Sequence, residues 1–318
     1  MATAGRSWRA APGTLVVVTL FALVGGVAVP LLAYLIYQRQ ESPWIPAGLL
    51  LLAVLAVLYA WRFGLHPRLR AISRGVLIVN PFSRHTFAWD DITLIAPGEN
   101  GLIVGSEDDT AEAWCVQKSN YAARRGRFTR ADRVAHELLD ILDQHNPPLE
   151  DEETGLRISR ARPDESRLLT RLERASSEHA LGHIFPPEEF PYPVAAIDQQ
   201  WRRLLHDRST RVYVLELQEA PVGFVAFDSS TVLRLGVLPE HTRRGYGSAL
   251  LEFASQEIFD SGASAASLWV LTDNVAAHHF YRDHGWTLTD DRRPSPHPPF
   301  PEEARLTRRN PAAPRRSR

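Results

Sequence analysis

The chain is poor in cysteine and lysine, and it carries almost no net charge. Its 318 residues include one cysteine, Cys115, which excludes a disulfide framework and a cluster of thiolate metal ligands. The 36 basic residues nearly cancel the 37 acidic ones, so no overall positive field favours nucleic acid, and we expect no nucleic-acid partner. Lys118 is the only lysine, and this arginine excess is typical of a bacterial protein from a GC-rich genome.

Apolar residues are concentrated at the start of the chain. Thr14 to Tyr37 contains 24 residues without a charge, and a second apolar run from Ile45 to Ala60 extends through the interfacial residues Trp61 to Phe63. Each run is close to the ~20 residues that span a bilayer as a helix. A signal peptide or a buried helix is the alternative, but the length of the first run and the closeness of the second favour a transmembrane hairpin over residues 14–63. The lipid bilayer is therefore an expected partner.

The charges that flank the two runs predict their orientation. Arg6 and Arg9 precede the first run, and four arginines follow the second, whereas Arg39 and Glu41 cancel between them. The positive-inside rule then places residues 1–13 and the rest of the chain after the hairpin in the cytoplasm. We therefore expect a two-pass protein of the plasma membrane with both termini and both soluble domains cytoplasmic. The four arginines are Arg62, Arg68, Arg70 and Arg74.

Residues 65–145 have the pattern of a small β-rich domain that ends in one amphipathic helix. Short β-branched runs alternate with turn residues, and TRADRVAHELLDILDQH then follows with helical spacing, with Thr129 or Asp132 near its start. The pieces NPF at 80–82, AWDDI at 88–92 and WCVQKSNYAARRGRFTRADRVAHEL at 114–138 resemble a bacterial pleckstrin-homology-like domain of the low-molecular-weight-protein-antigen-6 type.

A cluster of arginines in that domain allows contact with anionic lipid, and a solvated basic loop is the alternative. The acidic, proline-containing residues 146–155 then predict a linker, and residues 309–318 predict a disordered basic tail. The arginines are Arg124, Arg125, Arg127, Arg130 and Arg133.

The second half of the chain alternates strands and helices, which predicts an α/β domain with a mixed sheet over residues 156–308. Its most informative stretch is LGVLPEHTRRGYGSAL, from Leu235 to Leu250, where a strand runs into a turn that contains Gly245 and Gly247 and then into a helix. Such a turn aims backbone N–H groups outward at the positive end of a helix, which suits a pyrophosphate. An ordinary tight turn between a strand and a helix is the alternative.

This stretch resembles motif A of the GNAT superfamily of acetyl-CoA-dependent N-acyltransferases, whose usual pattern is Gln/Arg-x-x-Gly-x-Gly/Ala. Thr242 stands at the first position of that pattern, which is a departure, and Arg243 and Arg244 lie beside it. Further along, the later N-x-x-A-x-x-F-Y-x-x-x-G-F/W pattern of the family is matched. The matching residues are Asn274, Ala277, Phe280, Tyr281, Gly285 and Trp286.

The resemblance implies a multidomain protein that ends in a GNAT domain and transfers an acetyl group directly from acetyl-CoA, as cosubstrate, to an amine of unknown identity. It implies that Tyr281 is the catalytic acid for the departing thiolate and that Asn274 reaches the cosubstrate's arm. The backbone around Leu235, Gly236 and Val237 would pair with the pantetheine arm. The pyrophosphate would bind the turn formed by Arg243, Arg244, Gly245, Tyr246, Gly247, Ser248 and Ala249.

The general base is not identified by any motif. Asp228, Glu188 and Glu189 are candidates, and His183 could line the acceptor pocket, although each is more often a solvated or structural loop residue. His278 and His279 are adjacent and diverge on a helix, so no metal is expected. The alternative function is a non-catalytic membrane adaptor or sensor, in which the GNAT-like domain binds CoA or another ligand without turnover.

Overall fold

The computed structural model describes residues 6–39, 43–117, 128–151 and 154–313. These residues fall into two compact units, Met1–Asn146 and Pro147–Arg318. The predicted linker, 146–155, spans the boundary between the units. Residues 149–151 within it are not a free connection, because they form an edge strand of the second unit.

Two apolar helices occupy the start of the first unit, α1 (Pro12–Tyr37) and α2 (Trp44–Leu65), and each is long and apolar enough to cross a membrane. Small residues allow them to approach closely, since a Cβ on Gly25 would lie 3.1 Å from the Cβ of Ala56. The backbone hydrogen bonds of α1 change to the π-helical pattern over Val24–Ala28. This segment lies just before Pro30, which has no N–H to donate.

A two-residue strand before α1 pairs with a strand after α2. β1 (Ser7–Trp8) lies antiparallel to β2 (Arg68–Ile72), with Trp8 opposite Leu69. Trp8 is buried, and its indole N–H donates to Oε2 of Glu137 at 2.7 Å. The segment before α1 and the segment after α2 therefore lie side by side. Neither strand was predicted, because so short a pairing leaves no periodic pattern in the sequence.

The rest of the first unit is β-rich and ends in a helix. β3 (Gly75–Val79) and β4 (Arg84–Ala88) complete a four-stranded sheet with β1 and β2. A second, three-stranded sheet contains β5 (Leu94–Pro97), β6 (Leu102–Gly105) and β7 (Thr110–Ala113). Residues from both sheets share one buried cluster with the apolar face of α3 (Arg130–His145).

A capping box fixes the start of α3. Thr129 is the N-cap and accepts from the backbone N–H of Asp132, whose carboxylate accepts from the backbone N–H of Thr129 at 2.6 Å. Arg130, one of the arginines expected to be available to lipid, instead donates to the carbonyl oxygens of Cys115 and Arg9, so it is held within the unit. Arg133 is exposed. The other arginines of that cluster, Arg124, Arg125 and Arg127, lie outside the described residues.

The second unit is one eight-stranded sheet in the order β14-β15-β13-β12-β11-β10-β9-β8. Only β12 and β13 are parallel, and the other neighbours that the structure describes are antiparallel. The predicted alternation of strands and helices over residues 156–308 is observed, and β8 is an additional strand in the predicted linker. The strands are β8 (Leu149–Asp151), β9 (Leu156–Arg160), β10 (Arg211–Leu217), β11 (Ala220–Phe227), β12 (Thr231–Val237), β13 (Ala265–Leu271), β14 (Thr287–Pro294) and β15 (Glu302–Arg309). The helices are α4 (Ser166–Leu181), α5 (Val194–Leu205), α6 (Tyr246–Asp260) and α7 (Val275–Asp283).

Helices cover both faces of this sheet, and each face has its own core. On one face, Leu169 of α4 and Trp201 of α5 pack with Phe224 of the sheet. On the other face, Leu250 of α6 packs with Phe227, while α7 adds partly buried residues to the same cluster. The apolar alternation along β10 and β11 supplies both cores, because successive side chains point to opposite faces.

Two further details concern α4 and β14. The N-cap of α4 is Glu165, whose carboxylate accepts from the backbone N–H of Arg162 at 2.7 Å. The segment from Asp290 stays in β14 as far as Pro294, since its backbone continues to pair with β15.

Candidate active site

The central feature of the second unit is the divergence of its two parallel strands. β12 and β13 pair only at Thr231 with Ser267 and at Val232 with Leu268. On its other side, β12 stays paired with β11 to its end, with a bulge that leaves Leu233 without an opposite residue. Among the described residues, the backbone of 233–237 therefore has no strand partner on the β13 side. Leu235, Gly236 and Val237, the residues expected to hold an extended arm, lie on this open edge.

The turn that follows β12 has the geometry expected of an anion site. Gly245 is the N-cap of α6 with φ +88°, a left-handed conformation, and a Cβ there would meet open space. The first intrahelical bond runs from the N–H of Ala249 to the carbonyl of Gly245. The N–H groups of Tyr246, Gly247 and Ser248 are thus left at the positive end of the helix without intrahelical partners.

The two arginines of this turn are exposed, and Arg243 also has a left-handed backbone, with φ 56°. Neither Arg243 nor Arg244 forms an ion pair with any residue that the structure describes, so both guanidinium groups are free to meet a phosphate. Thr242, the departure from the family pattern, donates its hydroxyl to the carbonyl of Pro239 at 2.8 Å. This bond gives Thr242 a structural role in the turn.

A cavity of about 660 Å³ lies beside the open edge of β12. Its wall brings together Leu235, Asn274 and Tyr281, three of the residues singled out in the sequence, with the ends of β12 and β13. The glycine turn is not part of this wall. The predicted site residues therefore form two regions, an anion-binding turn and a cavity, joined by β12.

Tyr281 lies on α7 and lines the cavity while its ring is partly buried. Phe280 and Trp286 contact the ring edge-on, with centroids 5.2 Å and 6.1 Å away. Burial raises the pKa of the Tyr281 phenol to about 12, so the group keeps its proton at neutral pH. The phenol is thus available as a proton donor.

Asn274 begins α7 as its N-cap. Its Oδ1 accepts from the N–H of Ala277 at 3.1 Å, which leaves the amide NH₂ as the group that can donate to a ligand in the cavity.

His284 links α7 to α6, and it was not singled out from the sequence because it stands at a variable position of the later family pattern. Its Nδ1 lies 2.7 Å from the carbonyl of Phe280 and its Nε2 lies 2.8 Å from Oγ of Ser248. A carbonyl only accepts, so Nδ1 carries a proton and donates it to Phe280, while Nε2 shares a hydrogen bond with the hydroxyl of Ser248. This bridge holds Ser248 in place at the start of α6.

A partly buried ion pair in the cavity wall was also missed. Glu173 of α4 pairs through Oε1 with Arg234 of β12, whose other terminal nitrogen donates to Oε1 of Gln200. The guanidinium stacks over the Trp201 ring, 5.3 Å from its centroid. Burial raises the pKa of the Glu173 carboxyl, and the charge of Arg234 opposes this. Sequence reasoning could not pair residues 61 positions apart on a helix and a strand.

The candidates for the general base and the acceptor pocket, Asp228, Glu188, Glu189 and His183, do not lie together in the structure. Asp228 accepts from the N–H groups of Ser230 and Thr231 in the turn before β12, so it has a structural role. Glu189 lines the cavity, whereas Glu188 and His183 do not. His183 lies 3.3 Å from the carbonyl of Asp273.

Residues 171–286 match the family described as Acetyltransferase (GNAT) family. The match includes β12, the glycine turn, α6 and α7, and it supports a GNAT acetyltransferase domain within the second unit. No curated protein matches the chain. Neither finding describes the first unit.

Solved structures are also similar to part of the chain. One is the PaiA N-acetyltransferase from Thermoplasma acidophilum in complex with coenzyme A, at 18% identity, with a TM-score of 0.41, 49% of this chain covered and 99% of that one. Another is the ribosomal-protein-S18-alanine N-acetyltransferase from Escherichia coli, at 20% identity, with a TM-score of 0.41, 51% of this chain and 99% of that one.

Two glycines of the site differ in how much space surrounds them. A Cβ on Gly236 would lie 2.6 Å from the Phe224 ring and 2.7 Å from Oγ of Ser176, whereas a Cβ on Gly247 would make ordinary contacts beginning at 3.6 Å. We expect Gly236→Ala to lower the free energy of unfolding by about 1–3 kcal/mol through overpacking, and Gly247→Ala to change it by less than about 1 kcal/mol. Denaturant titration of the full chain in detergent measures both values, and equal losses would contradict the described packing.

Proposed function

We propose that the protein is a membrane-anchored N-acetyltransferase that moves an acetyl group from acetyl-CoA directly to an amine. The observation that carries the proposal is the arrangement around β12. An open backbone edge, a left-handed glycine turn at a helix N-terminus and a tyrosine with a raised pKa lie along one strand and the helices that follow it. The GNAT match over residues 171–286 supports acetyl transfer as the reaction class.

The residues around β12 fit acetyl-CoA. The pyrophosphate would bind the N–H groups of residues 246–248 with help from Arg243 and Arg244, and the space that a Cβ on Gly245 would fill is open. The amide-rich pantetheine arm would add to the free edge of β12 as an extra strand, in the manner of peptides that bind sheet edges. Asn274 adds a side-chain donor beside that edge. Acetyl-CoA supplies a thioester, whose acetyl carbon is open to attack by an amine.

Tyr281 has the role of proton donor in this proposal. The departing thiolate needs a proton, and a phenol that is neutral at pH 7 and faces the cavity can provide it. His284 acts as a positioning residue, because it ties the start of α6 to the end of α7.

Membrane anchoring is supported by the two apolar helices and by the β1–β2 ladder. α1 and α2 are each long and apolar enough to cross a bilayer. β1 precedes α1 and β2 follows α2, so their pairing requires the two ends of the hairpin to lie on the same side. The arginine-rich flanks make that side the cytoplasm, where acetyl-CoA is available.

The C-terminal end of α2 has features of a membrane interface. Phe82, which is 74% exposed, contacts Phe63 edge-on at 5.3 Å, and the Arg62 guanidinium lies over the Phe82 ring. An aromatic pair beside a basic residue suits the headgroup region of anionic lipid.

A matched pair of glycines tests the pyrophosphate site. Gly245 and Gly262 both have left-handed backbones, φ +88° and +96°, with open space around an added Cβ, but only Gly245 lies in the turn. We expect Gly245→Val and Gly262→Val each to cost about 1–3 kcal/mol of stability through backbone strain. Only Gly245→Val should also weaken acetyl-CoA binding, by at least about tenfold, because it blocks close approach of phosphate. Calorimetric titration of the full chain in detergent measures the affinity. Equal affinities in the two variants would argue against this site.

The role of Tyr281 is tested by Tyr281→Phe, with Tyr213→Phe in the core as the control variant. We expect kcat to fall by about 10²–10⁴ when the phenolic proton is removed, while the acetyl-CoA affinity changes by less than about twofold. The control should retain the wild-type kcat. Turnover is measured as free thiol released during incubation with an amine panel. Acetyl-CoA binding without turnover of any amine by the wild type would instead favour the non-catalytic adaptor or sensor.

The membrane topology is tested by cysteine labelling in a Cys115→Ser background. We expect Ser42→Cys, between the two spans, to react with a membrane-impermeant maleimide in intact bacterial cells. Ser73→Cys, in the exposed turn between β2 and β3, should react only after the cells are permeabilised. Labelling of Ser73→Cys in intact cells would contradict the proposed orientation. Recovery of the chain in the soluble fraction would contradict membrane anchoring.

A further inference from the structure

The four-stranded sheet of the first unit has an apolar face and a basic face. Residues directly opposite each other in an antiparallel pair share a face, and Trp8 and Leu69 are opposite each other within the buried cluster. The residues between them in the strands therefore point to the other face. Arg84 lies on that face with Arg68, because both are opposite Val79. The basic face is defined by Arg68 and Arg70 of β2 and Arg84 of β4.

The guanidinium groups of the basic face have no carboxylate partner. The strands β1 to β4 contain no aspartate or glutamate. Arg70 and Arg84 are exposed and Arg68 is partly exposed, and none of the three forms an ion pair with any residue in the described ranges. A surface that carries charge of one sign, without acids between the arginines, favours an anionic ligand.

A firmly held turn presents an exposed aromatic side chain at one end of this sheet. The turn, residues 80–83, joins β3 to β4, and the N–H of Asn80 donates to the carbonyl of Ser83 at 2.9 Å. The buried Asn80 side chain donates to the carbonyl of Glu112 at 2.8 Å and accepts from the N–H of Trp114 at 3.1 Å. Phe82 is nevertheless 74% exposed and Trp114 is 44% exposed. Two exposed aromatic residues at one held end of a sheet indicate an interaction surface.

This end of the sheet lies beside the C-terminal end of α2. Phe63 contacts Phe82 edge-on, with ring centroids 5.3 Å apart, and the Arg62 guanidinium lies 5.5 Å from the Phe82 ring centroid. Because α2 is long and apolar enough to cross a bilayer, its last turn lies at the level of the headgroups. The row of Arg68 and Arg84 is next to the turn, so the basic face begins at that level.

We propose that the basic face and residues 80–83 bind the anionic phospholipid headgroups of the leaflet in which α2 ends, and that they hold the β-rich domain against the bilayer surface. This inference rests on the proposed membrane anchoring and gives the first unit a ligand. The guanidinium groups bind phosphate oxygens, and Phe82 enters the headgroup region. Each arginine near an anionic surface strengthens binding by about fivefold, so three of them act together.

The position of the face favours lipid over a soluble anion. α2 keeps the face within reach of the leaflet, so the effective concentration of headgroups is high. A soluble anionic partner would have to compete with them.

The first experiment measures how close the basic face lies to lipid of two compositions. Thr86→Cys, an exposed position of β4 on the same face as Arg84, carries a fluorophore in a Cys115→Ser background. The full chain is placed in nanodiscs of phosphatidylcholine alone, or with an equal amount of phosphatidylglycerol, each containing a lipid spin-labelled at its headgroup. We expect quenching to be at least about twofold stronger in the anionic nanodiscs. Salt at ~1 M should remove the difference, because the screening length falls to ~3 Å. Equal quenching in both nanodiscs would overturn the proposal.

The second experiment compares Arg84→Gln with Arg74→Gln, a matched change at an exposed arginine in the turn between β2 and β3, at the opposite end of the strands. We expect Arg84→Gln to lower the ratio of docked to undocked chains in anionic nanodiscs by about fivefold, and Arg68→Gln with Arg84→Gln by about 25-fold. Arg74→Gln should change the ratio by less than about twofold. Equal effects of Arg84→Gln and Arg74→Gln would show a response to net charge alone and would overturn the assigned face.

The part played by the turn is tested by Phe82→Ala, with Phe128→Ala as the control variant. Phe128 is also exposed, but its ring contacts His136 edge-on at 5.2 Å. Phe82→Ala should lower the docked ratio by at least about threefold in both kinds of nanodisc, because its apolar contact does not depend on lipid charge. Phe128→Ala should leave the ratio unchanged. An unchanged ratio in Phe82→Ala would remove the turn from the lipid site.

The two proposals fail in different ways. A chain that is recovered as a soluble protein and does not enter nanodiscs contradicts the proposed membrane anchoring. A chain that enters nanodiscs but is quenched equally with and without phosphatidylglycerol contradicts only the lipid site, and this comparison needs no change to the basic face's arginines.

Discussion

The divergence of β12 from β13 is the constraint on which the candidate site depends. Two strands that stay paired for only two residues leave the rest of β12 with an unused row of backbone donors and acceptors beside a cavity. Backbone groups of this kind are costly unless water or a ligand satisfies them. The bulge at Leu233 marks the place where the strand turns away from its neighbour. The same strand leads directly into the glycine turn, so one departure from regular pairing positions both halves of the site.

Electrostatics then divides the site into two parts with opposite preferences. The turn offers helix N–H groups and two arginines that have no carboxylate partner among the described residues, which favours an anion. The cavity offers carboxylates and arginines that are already paired, which favours a cation. A phosphate-bearing donor and an amine acceptor are therefore attracted to different places along β12.

The sequence allowed the alternation of strands and helices after residue 156 to be predicted, because apolar periodicity is local. It also allowed Gly245, Asn274 and Tyr281 to be singled out, since these residues lie in short motifs. The Glu173–Arg234 pair and the His284–Ser248 bridge could not be predicted, because each joins residues far apart in the chain. The pairing of β1 with β2 was missed for the same reason. The pleckstrin-homology-like resemblance of residues 65–145 stays a prediction.

The most direct test of the central claim is amide hydrogen exchange of the full chain in detergent, with and without saturating acetyl-CoA. The proposed binding mode predicts slower exchange for the free-edge amides of 233–237 and for the helix N–H groups of 246–248. The amides of β11 already pair with β12 and β10, so they should be unaffected. Exchange that stays unchanged in both segments at saturating acetyl-CoA would contradict the account.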